Sequence, residues 1–150
     1  MIISRTPYRL SFFGGGTDYN AWFEENGGLV LAVGLAHYCY LNVRYLPPFF
    51  SHKSRIVYSK IESINEISEI QHPSVRGCLE YLNITEGVEI HHDGDLPARS
   101  GLGSSSSFTV GLLHALYALK QQMVSPRQLA EEAIDVEQNW LNESVGIQDQ

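Results

Sequence analysis

The order of the secondary-structure signals predicts an α+β fold, in which a mixed sheet has helices packed on one face. Segments rich in β-branched and aromatic residues dominate residues 1–93, and two long helical patterns follow them. A length of 150 residues with a hydrophobic fraction of 43% suffices for one domain with a sizeable core. We therefore expect residues 1–150 to form a single domain.

Short segments of high β-propensity predict the strands. Pro7 divides the first of these segments, so we expect two short strands over residues 2–5 and 8–13. Further strands are predicted for residues 28–33, 37–46, 55–59 and 88–93.

Capping residues mark the predicted helices. Asp18 is the expected N-cap of a short helix that ends at Gly27. Ser125 is the expected N-cap of a later helix whose first residue is Pro126. After the short helix, helices are predicted for residues 74–82, about 104–122 and about 126–141.

The composition argues against several classes of function. The formal net charge is −7 and no basic stripe is present, so a nucleic-acid partner is disfavoured, although one local pocket can still bind a small anion. Cys39 and Cys78 are far apart and outside any CxxC pair, which argues against a disulfide framework or a zinc site and indicates a reducing compartment. The N-terminus lacks the apolar region of a signal peptide, and no segment approaches the length of a membrane span. We expect a cytoplasmic protein that does not bind membranes.

The segment LPARSGLGSSSSFTVGLLHAL, residues 96–116, carries the strongest functional signal. Its four serines run directly into an apolar helical pattern, although serine starts helices poorly except at the cap. Gly103 lets the backbone turn sharply and places no Cβ in the way of a ligand. The first-turn amides of Ser104 to Ser107 would lack intrahelical partners, which predicts an anion site at the helix N-terminus. The alternative is a flexible Gly/Ser loop that happens to cap a helix.

Three segments resemble motifs of the GHMP kinases, the superfamily of galactokinase, homoserine kinase, mevalonate kinase and phosphomevalonate kinase. PARSGLGSSSS resembles the phosphate-binding motif, and TPYRLSFFGGGTDYN resembles the N-terminal sugar-binding motif of the sugar kinases. VEQNWLNESVGIQDQ resembles the segment with the metal-binding glutamate and the catalytic aspartate. The triple glycine before Thr17, Asp18 and Tyr19 is most similar to the D-glycero-D-manno-heptose 7-phosphate kinase branch.

The resemblance implies a fold and a set of site residues. The fold would be that of the GHMP kinase N-terminal domain, which is ribosomal protein S5 domain 2-like. The ATP phosphates would be bound by Pro97, Gly101, Leu102, Gly103, Ser104, Ser105, Ser106 and Ser107. The sugar would be bound by Gly15, Gly16, Thr17, Asp18 and Tyr19. Ser105 and Glu137 would bind Mg²⁺, and Asp149 and Arg9 would be catalytic.

These roles agree with the physical chemistry of phosphoryl transfer, in which positioning and charge stabilisation dominate. Asp149 would accept the proton of the sugar hydroxyl, and Arg9 would neutralise charge in the transition state. Hydroxyl and carboxylate oxygens are suitable ligands for Mg²⁺. Each residue also has an ordinary alternative. Glu137 could be a solvated charge on an acidic helix face, Asp149 a loop carboxylate, Asp18 a helix cap and Arg9 a surface residue of a strand.

The resemblance thus predicts an ATP- and Mg²⁺-dependent kinase that phosphorylates the anomeric hydroxyl of a heptose 7-phosphate, for the synthesis of nucleotide-activated heptose. Two alternatives stay open. One is another sugar 1-kinase, such as a fucokinase or a galactokinase, and the other is a catalytically silent module that binds nucleotide and sugar. Members of the family continue into a C-terminal GHMP domain that is absent here, so we expect either a fragment or a chain whose pocket is completed by something else, and in both cases we expect no activity of this chain alone. A homodimer is one expected assembly.

Overall fold

The structure is a computed structural model that describes residues 1–97 and 100–150. Within these residues the strands are β1 (Ile2–Phe13), β2 (Leu31–Tyr45), β3 (Ser54–Val57), β4 (Ile61–Ile64) and β5 (Val88–Gly94). The α-helices are α1 (Asn20–Asn26), α2 (Pro73–Tyr81), α3 (Ser104–Leu119) and α4 (Pro126–Asp135). A 3₁₀ turn covers Ile67–Glu69, and a π-helical turn covers Val136–Trp140.

The strands form one mixed sheet in the order β1-β2-β5-β3-β4. β3 and β5 are parallel, whereas the other neighbouring strands are antiparallel. β5 pairs with β2 over Cys39–Tyr45, so the earlier part of β2 pairs with β1 alone. The far ends of β1 and β2 therefore form a two-stranded ribbon beyond the rest of the sheet.

The core lies between one face of this sheet and the helices. α3 crosses β1 and β2, and α2 and α4 pack against α3. Alternate strand residues point into the core. Its fully buried side chains include Leu41, Val43, Ile56 and Ile90 from the strands and Leu79, Leu112, Leu113 and Leu116 from the helices. The predicted α+β fold, a mixed sheet with helices on one face, is confirmed.

Two pairs of predicted strands are continuous in the structure. β1 runs through Pro7 because it is an edge strand, where a missing N–H group is tolerated, and the register shifts between Pro7 and Arg9. The predicted strands over residues 28–33 and 37–46 are both part of β2, in which Gly34 pairs with Arg9. β4 has no counterpart among the predicted elements.

The helix caps agree with the prediction at two of three positions. The Ser125 hydroxyl accepts a backbone N–H group in the first turn of α4, at 3.1 Å, and Gly27 ends α1. The prediction that Asp18 caps α1 is wrong, because Tyr19 is the N-cap and the Asp18 carboxylate binds other backbone groups. The last helix is α-helical as far as Asp135 and continues as the π-helical turn. In the part of the chain that the structure describes, no helix is both long and apolar enough to cross a bilayer.

Candidate active site

The glycine-serine loop, residues 100–107, forms the turn into α3. Gly101 and Gly103 have φ values of +75° and +69°, which L side chains rarely adopt. Gly103 is the N-cap of α3, and its carbonyl oxygen accepts the N–H group of Ser107 at 2.9 Å. The predicted sharp turn at the start of a buried helix is therefore present. The motif residues Ala98 and Arg99 lie outside the described residues.

Two of the four serines face the interior. Ser106 and Ser107 are each 3% exposed. The Ser106 hydroxyl donates to Oε2 of Glu137 at 3.0 Å, and the Ser107 hydroxyl donates to the carbonyl oxygen of Pro7 at 3.0 Å. These serines therefore join the start of α3 to the π-helical turn and to β1.

The other two serines line an open cavity of about 450 Å³. Ser105 is exposed and Ser104 is partly buried. The Phe108 ring in the wall of this cavity stacks on His72, with a centroid distance of 4.7 Å, and meets the edge of His92 at 5.0 Å. Burial lowers the pKa of both histidines, which favours their neutral forms. The cavity thus combines serine hydroxyls with a largely uncharged aromatic wall.

Arg9 on β1 and Asp149 form an ion pair beside the glycine-serine loop. The Nε and Nη2 atoms of Arg9 both contact Oδ1 of Asp149. Nη1 donates to the carbonyl oxygen of Gly101 at 3.2 Å, and the backbone N–H of Arg9 donates to the carbonyl oxygen of Leu102 at 3.2 Å. A Cβ on Gly103 would lie 3.2 Å from Cγ of Arg9 and 3.5 Å from Oδ2 of Asp149. The two charged side chains are 19% and 21% exposed, so both are shielded yet accessible.

The triple-glycine loop, residues 14–16, turns the chain from β1 toward α1. Thr17 closes this turn, because its N–H and its hydroxyl both donate to the carbonyl oxygen of Gly14, at 3.0 and 2.7 Å. The Asp18 side chain is buried, and its Oδ1 accepts the N–H group of Gly16 at 2.9 Å. The loop therefore has a defined conformation.

A second cavity, of about 620 Å³, lies between the triple-glycine loop and the segment that precedes Asp149. Its lining includes Thr17, Asp18, Ile147 and Gln148. A Cβ on Gly15 would lie 3.8 Å from Nε2 of Gln148, and the Tyr19 hydroxyl donates to the carbonyl oxygen of Ser144 at 3.4 Å. The residues predicted to bind the sugar thus lie next to the predicted catalytic aspartate.

Glu137 lies in the π-helical turn, a distortion that is frequent at functional sites. It is fully buried. Its Oε2 accepts the Ser106 hydroxyl and contacts the side-chain amide nitrogen of Gln150, whereas its Oε1 has no hydrogen-bond partner within residues 1–97 and 100–150. Burial raises the pKa of this carboxyl, and the nearby polar groups of Thr109, Gln150 and Ser106 act in the opposite direction.

The surroundings of Glu137 fit a hard cation. Oε1 is buried and has no partner among the described residues, and the carboxylate and the Ser106 hydroxyl beside it offer oxygen atoms, which Mg²⁺ prefers. Among the described residues, no group of three or more His, Cys, Asp or Glu side chains could hold a metal ion, so phosphate oxygens would have to complete the coordination. Ser106 rather than Ser105 contacts Glu137, and the role of Ser105 as a metal ligand stays a prediction.

Sequence reasoning missed the contact between Ser11 and Gln148. The Ser11 hydroxyl donates to Oε1 of Gln148 at 2.8 Å. Ser11 follows Arg9 by two residues on β1, so both side chains point to the same side, and Gln148 precedes Asp149. The two-residue spacing between Arg9 and Ser11, together with the position of Gln148 next to Asp149, could have identified the contact between Ser11 and Gln148.

Comparison with known proteins identifies the family of this chain. The family model described as GHMP kinases N terminal domain matches residues 72–150. A D-glycero-alpha-D-manno-heptose 7-phosphate kinase of Campylobacter jejuni is 26% identical, over 99% of this chain and 47% of its own length. A galactokinase of Pyrococcus furiosus is 29% identical, over 99% of this chain and 42% of its own length.

A solved structure of a D-glycero-D-manno-heptose 1-phosphate kinase from Bacteroides thetaiotaomicron superimposes with a TM-score of 0.88 at 25% identity. The match covers 100% of this chain and 52% of that protein. The chain thus spans about half the length of the curated relatives that it matches. Because the family model covers more than half of its residues, this chain belongs to the GHMP kinase family.

Proposed function

We propose that this chain is the ATP- and sugar-binding N-terminal domain of a sugar kinase that phosphorylates the anomeric hydroxyl of a heptose 7-phosphate. The observation that carries the proposal is the convergence of three distant segments, in which Arg9 and Asp149 meet against the glycine-serine loop at Gly103. Phosphoryl transfer needs a phosphate-binding turn and a group that orients the acceptor hydroxyl side by side. The contacts among these three segments supply that arrangement.

The glycine-serine loop would bind the ATP phosphates. The helix dipole at the start of α3 favours an anion, and Gly103 has no Cβ that would place side-chain atoms in its way. Pro97, Gly101 and Leu102 shape the approach to this turn. Ser104 and Ser105 line the cavity beside it, and Phe108 and His72 form part of its wall.

Glu137 and Ser105 would bind the Mg²⁺ that accompanies ATP. When bound, this cation neutralises the charge of the phosphate oxygens. Ser106 fixes Oε2 of Glu137, which leaves Oε1 as the free ligand atom among the described residues. Such support of a metal ligand by a neighbouring hydrogen bond is common.

Asp149 would act as the general base. As the anomeric oxygen forms its bond to the γ-phosphorus and the bond from that phosphorus to the β,γ-bridging oxygen breaks, the hydroxyl proton passes to the carboxylate. Arg9 lies between Asp149 and Gly101, so its guanidinium can stabilise the negative charge that develops on the transferred group. It also holds the carboxylate in place.

The sugar would be bound by Gly15, Gly16, Thr17, Asp18 and Tyr19, of which Thr17 and Asp18 line the second cavity. The choice of a heptose 7-phosphate is supported by the relative from Campylobacter jejuni, which is described as a heptose 7-phosphate kinase. The relative from Bacteroides thetaiotaomicron, described as a heptose 1-phosphate kinase, supports a heptose phosphate more generally. The galactokinase relative supports the second candidate, another sugar 1-kinase. The third candidate function is a catalytically silent binding module, because the chain spans about half the length of its curated relatives.

Sugar-dependent release of ADP tests the proposal. The full-length protein, meaning this chain together with any sequence that follows it in its gene, is assayed with ATP, Mg²⁺ and, in turn, D-glycero-D-manno-heptose 7-phosphate, galactose and fucose. We expect the highest kcat/KM with the heptose 7-phosphate and a product whose new phosphate is on the anomeric carbon by ³¹P NMR. A higher kcat/KM with galactose or fucose would favour another sugar 1-kinase. Binding of ATP without turnover of any sugar would favour the silent module.

The 150-residue chain alone is assayed in parallel. If it is the nucleotide-binding half of the kinase, it should bind ATP in a calorimetric titration and release little ADP. Rapid turnover by the chain alone would contradict the proposed domain assignment.

A further inference from the structure

Asp18 is a buried carboxylate that joins two loops far apart in the sequence. Its side chain lies at 6% exposure. Oδ1 accepts the N–H group of Gly16 at 2.9 Å, and Oδ2 accepts the N–H group of Gln148 at 3.3 Å. We infer that Asp18 is a positioning residue, which holds the loop of residues 146–149 so that Asp149 faces the glycine-serine loop. This inference rests on the proposed function, in which Asp149 is the base.

Two further contacts tie the same loop to Asp18. The N–H group of Ile147 donates to the backbone carbonyl oxygen of Asp18 at 3.2 Å. Gly146 packs directly against the carboxylate, since a Cβ there would lie 1.8 Å from Oδ2 and 2.4 Å from Cγ of Asp18. Three consecutive residues, 146 to 148, thus contact Asp18 immediately before the catalytic position.

β1 holds the end of this loop from the other side. Ser11 donates to the side chain of Gln148 at 2.8 Å, and Arg9 pairs with Asp149. Asp18 therefore fixes the backbone that leads to Asp149, whereas Arg9 fixes the carboxylate itself. A group that must accept a proton in the transition state loses much of its effect when it is displaced by about 1 Å.

The positioning role differs measurably from direct binding of a sugar hydroxyl. A carboxylate whose two oxygens both accept backbone N–H groups has part of its acceptor capacity occupied before any substrate arrives. Loss of a direct sugar ligand should raise KM for the sugar. Loss of a positioning residue should lower kcat, whether or not KM for the sugar also rises.

The test compares Asp18→Ala and Asp18→Asn with a surface control, Glu80→Gln on α2. In the full-length protein with ATP and D-glycero-D-manno-heptose 7-phosphate, we expect Asp18→Ala to lower kcat by about 10- to 100-fold, in addition to any rise in KM for the sugar. Asp18→Asn keeps one acceptor oxygen and should fall between Asp18→Ala and the wild type, and it also serves if the alanine variant does not fold. The control should match the wild type. A large rise in KM with unchanged kcat would overturn the inference in favour of a sugar ligand.

Hydrogen exchange separates this inference from the proposed function. In the 150-residue chain, followed by NMR, Asp18→Ala should speed exchange of the Gln148 amide by about tenfold, as expected for the loss of one hydrogen bond, and leave the α3 amides unchanged. Unchanged exchange at Gln148 would overturn the positioning role. An inactive wild-type enzyme with normal protection of Gln148 would instead contradict the proposed function alone.

A double-variant cycle with Gly146→Ala completes the test. The added Cβ should collide with the Asp18 carboxylate, so Gly146→Ala alone should lower kcat as Asp18→Ala does. Asp18→Ala removes the colliding atoms, and the double variant should then be no worse than Asp18→Ala. Additive losses would show that the two residues act independently and would contradict the inference.

Discussion

The two loops that meet at the candidate active site are held in place by different means. The glycine-serine loop continues into α3, whose Leu112, Leu113 and Leu116 are fully buried. The loop of residues 146–149 follows the π-helical turn, and its contacts come from β1 and from Asp18, more than 120 positions earlier in the sequence. The glycine-serine loop has apolar burial next to it in sequence in addition to its polar contacts, whereas the described contacts of the 146–149 loop are mainly polar and come from distant residues.

This difference determines how each loop should respond to substitution. Burial of many apolar atoms is distributed over a helix, so no single polar contact decides where the glycine-serine loop lies. A few hydrogen bonds and one ion pair hold the 146–149 loop, and the loss of any one leaves a large part of its support missing. Substitutions in the 146–149 loop should therefore reduce turnover, whereas substitutions in the glycine-serine loop should reduce ATP binding.

The largest effect should come from Asp149→Asn in the full-length protein. Removal of a general base typically costs about 10²–10⁴-fold in rate. ATP affinity should stay close to that of the wild type, because the phosphates would be bound by the other loop. Sugar-dependent ADP release and ATP titration measure the two effects separately, with Glu80→Gln as the surface control. Turnover at the wild-type rate would remove Asp149 from the mechanism.

A pair of glycine variants should affect nucleotide binding next. Gly101 and Gly103 have similar positive φ, so valine strains both backbones, but only at Gly103 does the described structure place atoms within 4 Å of the new Cβ. These atoms belong to Arg9 and Asp149. We expect Gly103→Val to weaken ATP binding by more than about tenfold beyond the effect of Gly101→Val. Equal ATP affinities in two folded variants would show that backbone strain alone matters at this turn.

Metal dependence should distinguish the inward-facing serine from the exposed one. Glu137→Gln should raise the Mg²⁺ concentration for half-maximal turnover by about 10- to 100-fold. Ser106→Ala should raise this concentration by a similar factor, because it removes the hydrogen bond that supports Glu137. Ser105→Ala should change the Mg²⁺ requirement without a change in Tm, because this side chain is exposed. Binding of Mn²⁺, followed by electron paramagnetic resonance in the presence of ATP, gives a readout that does not depend on turnover. An unchanged metal requirement in Glu137→Gln would favour a structural role for this buried carboxylate.

Local chemistry explains which parts of the site could be predicted from the sequence. Gly103 and the serines after it predict a sharp turn into a helix because each signal lies within a few residues of its effect. The sequence cannot show whether Ser105 or Ser106 faces Glu137. Neighbouring residues on a helix point in different directions, and the crossing of α3 with α4 decides which of them meets the π-helical turn.

Long-range contacts explain most of what sequence reasoning missed. Asp18 precedes a short helix, so its sequence environment predicts a helix cap, but the folded chain brings Gln148 to the same carboxylate. Pro7 reads as a strand break, and only its location in an edge strand makes a continuous β1 acceptable. In both cases the local structure depends on which residues or strands lie beside it in the folded chain, and tertiary packing determines these.

The smallest expected effect is a pH dependence of stability at the anchor of the glycine-serine loop. His72 and His92 both pack against Phe108 in the first turn of α3. Burial lowers the pKa of both histidines, and repulsion from His92 lowers that of His72 further, although Glu62 and Asp93 oppose these shifts.

Because the folded pKa of each histidine is below the ordinary value of about 6.5, the unfolded chain binds more protons below that pH. Stability from the neutral pair is therefore present at pH 7.5 and decreases as the pH falls toward 5.5, which should lower Tm by a few degrees. The double variant His72→Phe/His92→Phe should lose most of this decrease, whereas exposed His114→Gln should retain it. Differential scanning calorimetry at both pH values measures the difference, and contributions from Glu137 cancel because every variant contains it. An equal decrease in Tm for the double variant and the wild type would show that the acid sensitivity arises elsewhere. The two histidines would then not contribute to the anchoring of the glycine-serine loop, and only the apolar side chains of α3 would remain as its anchor.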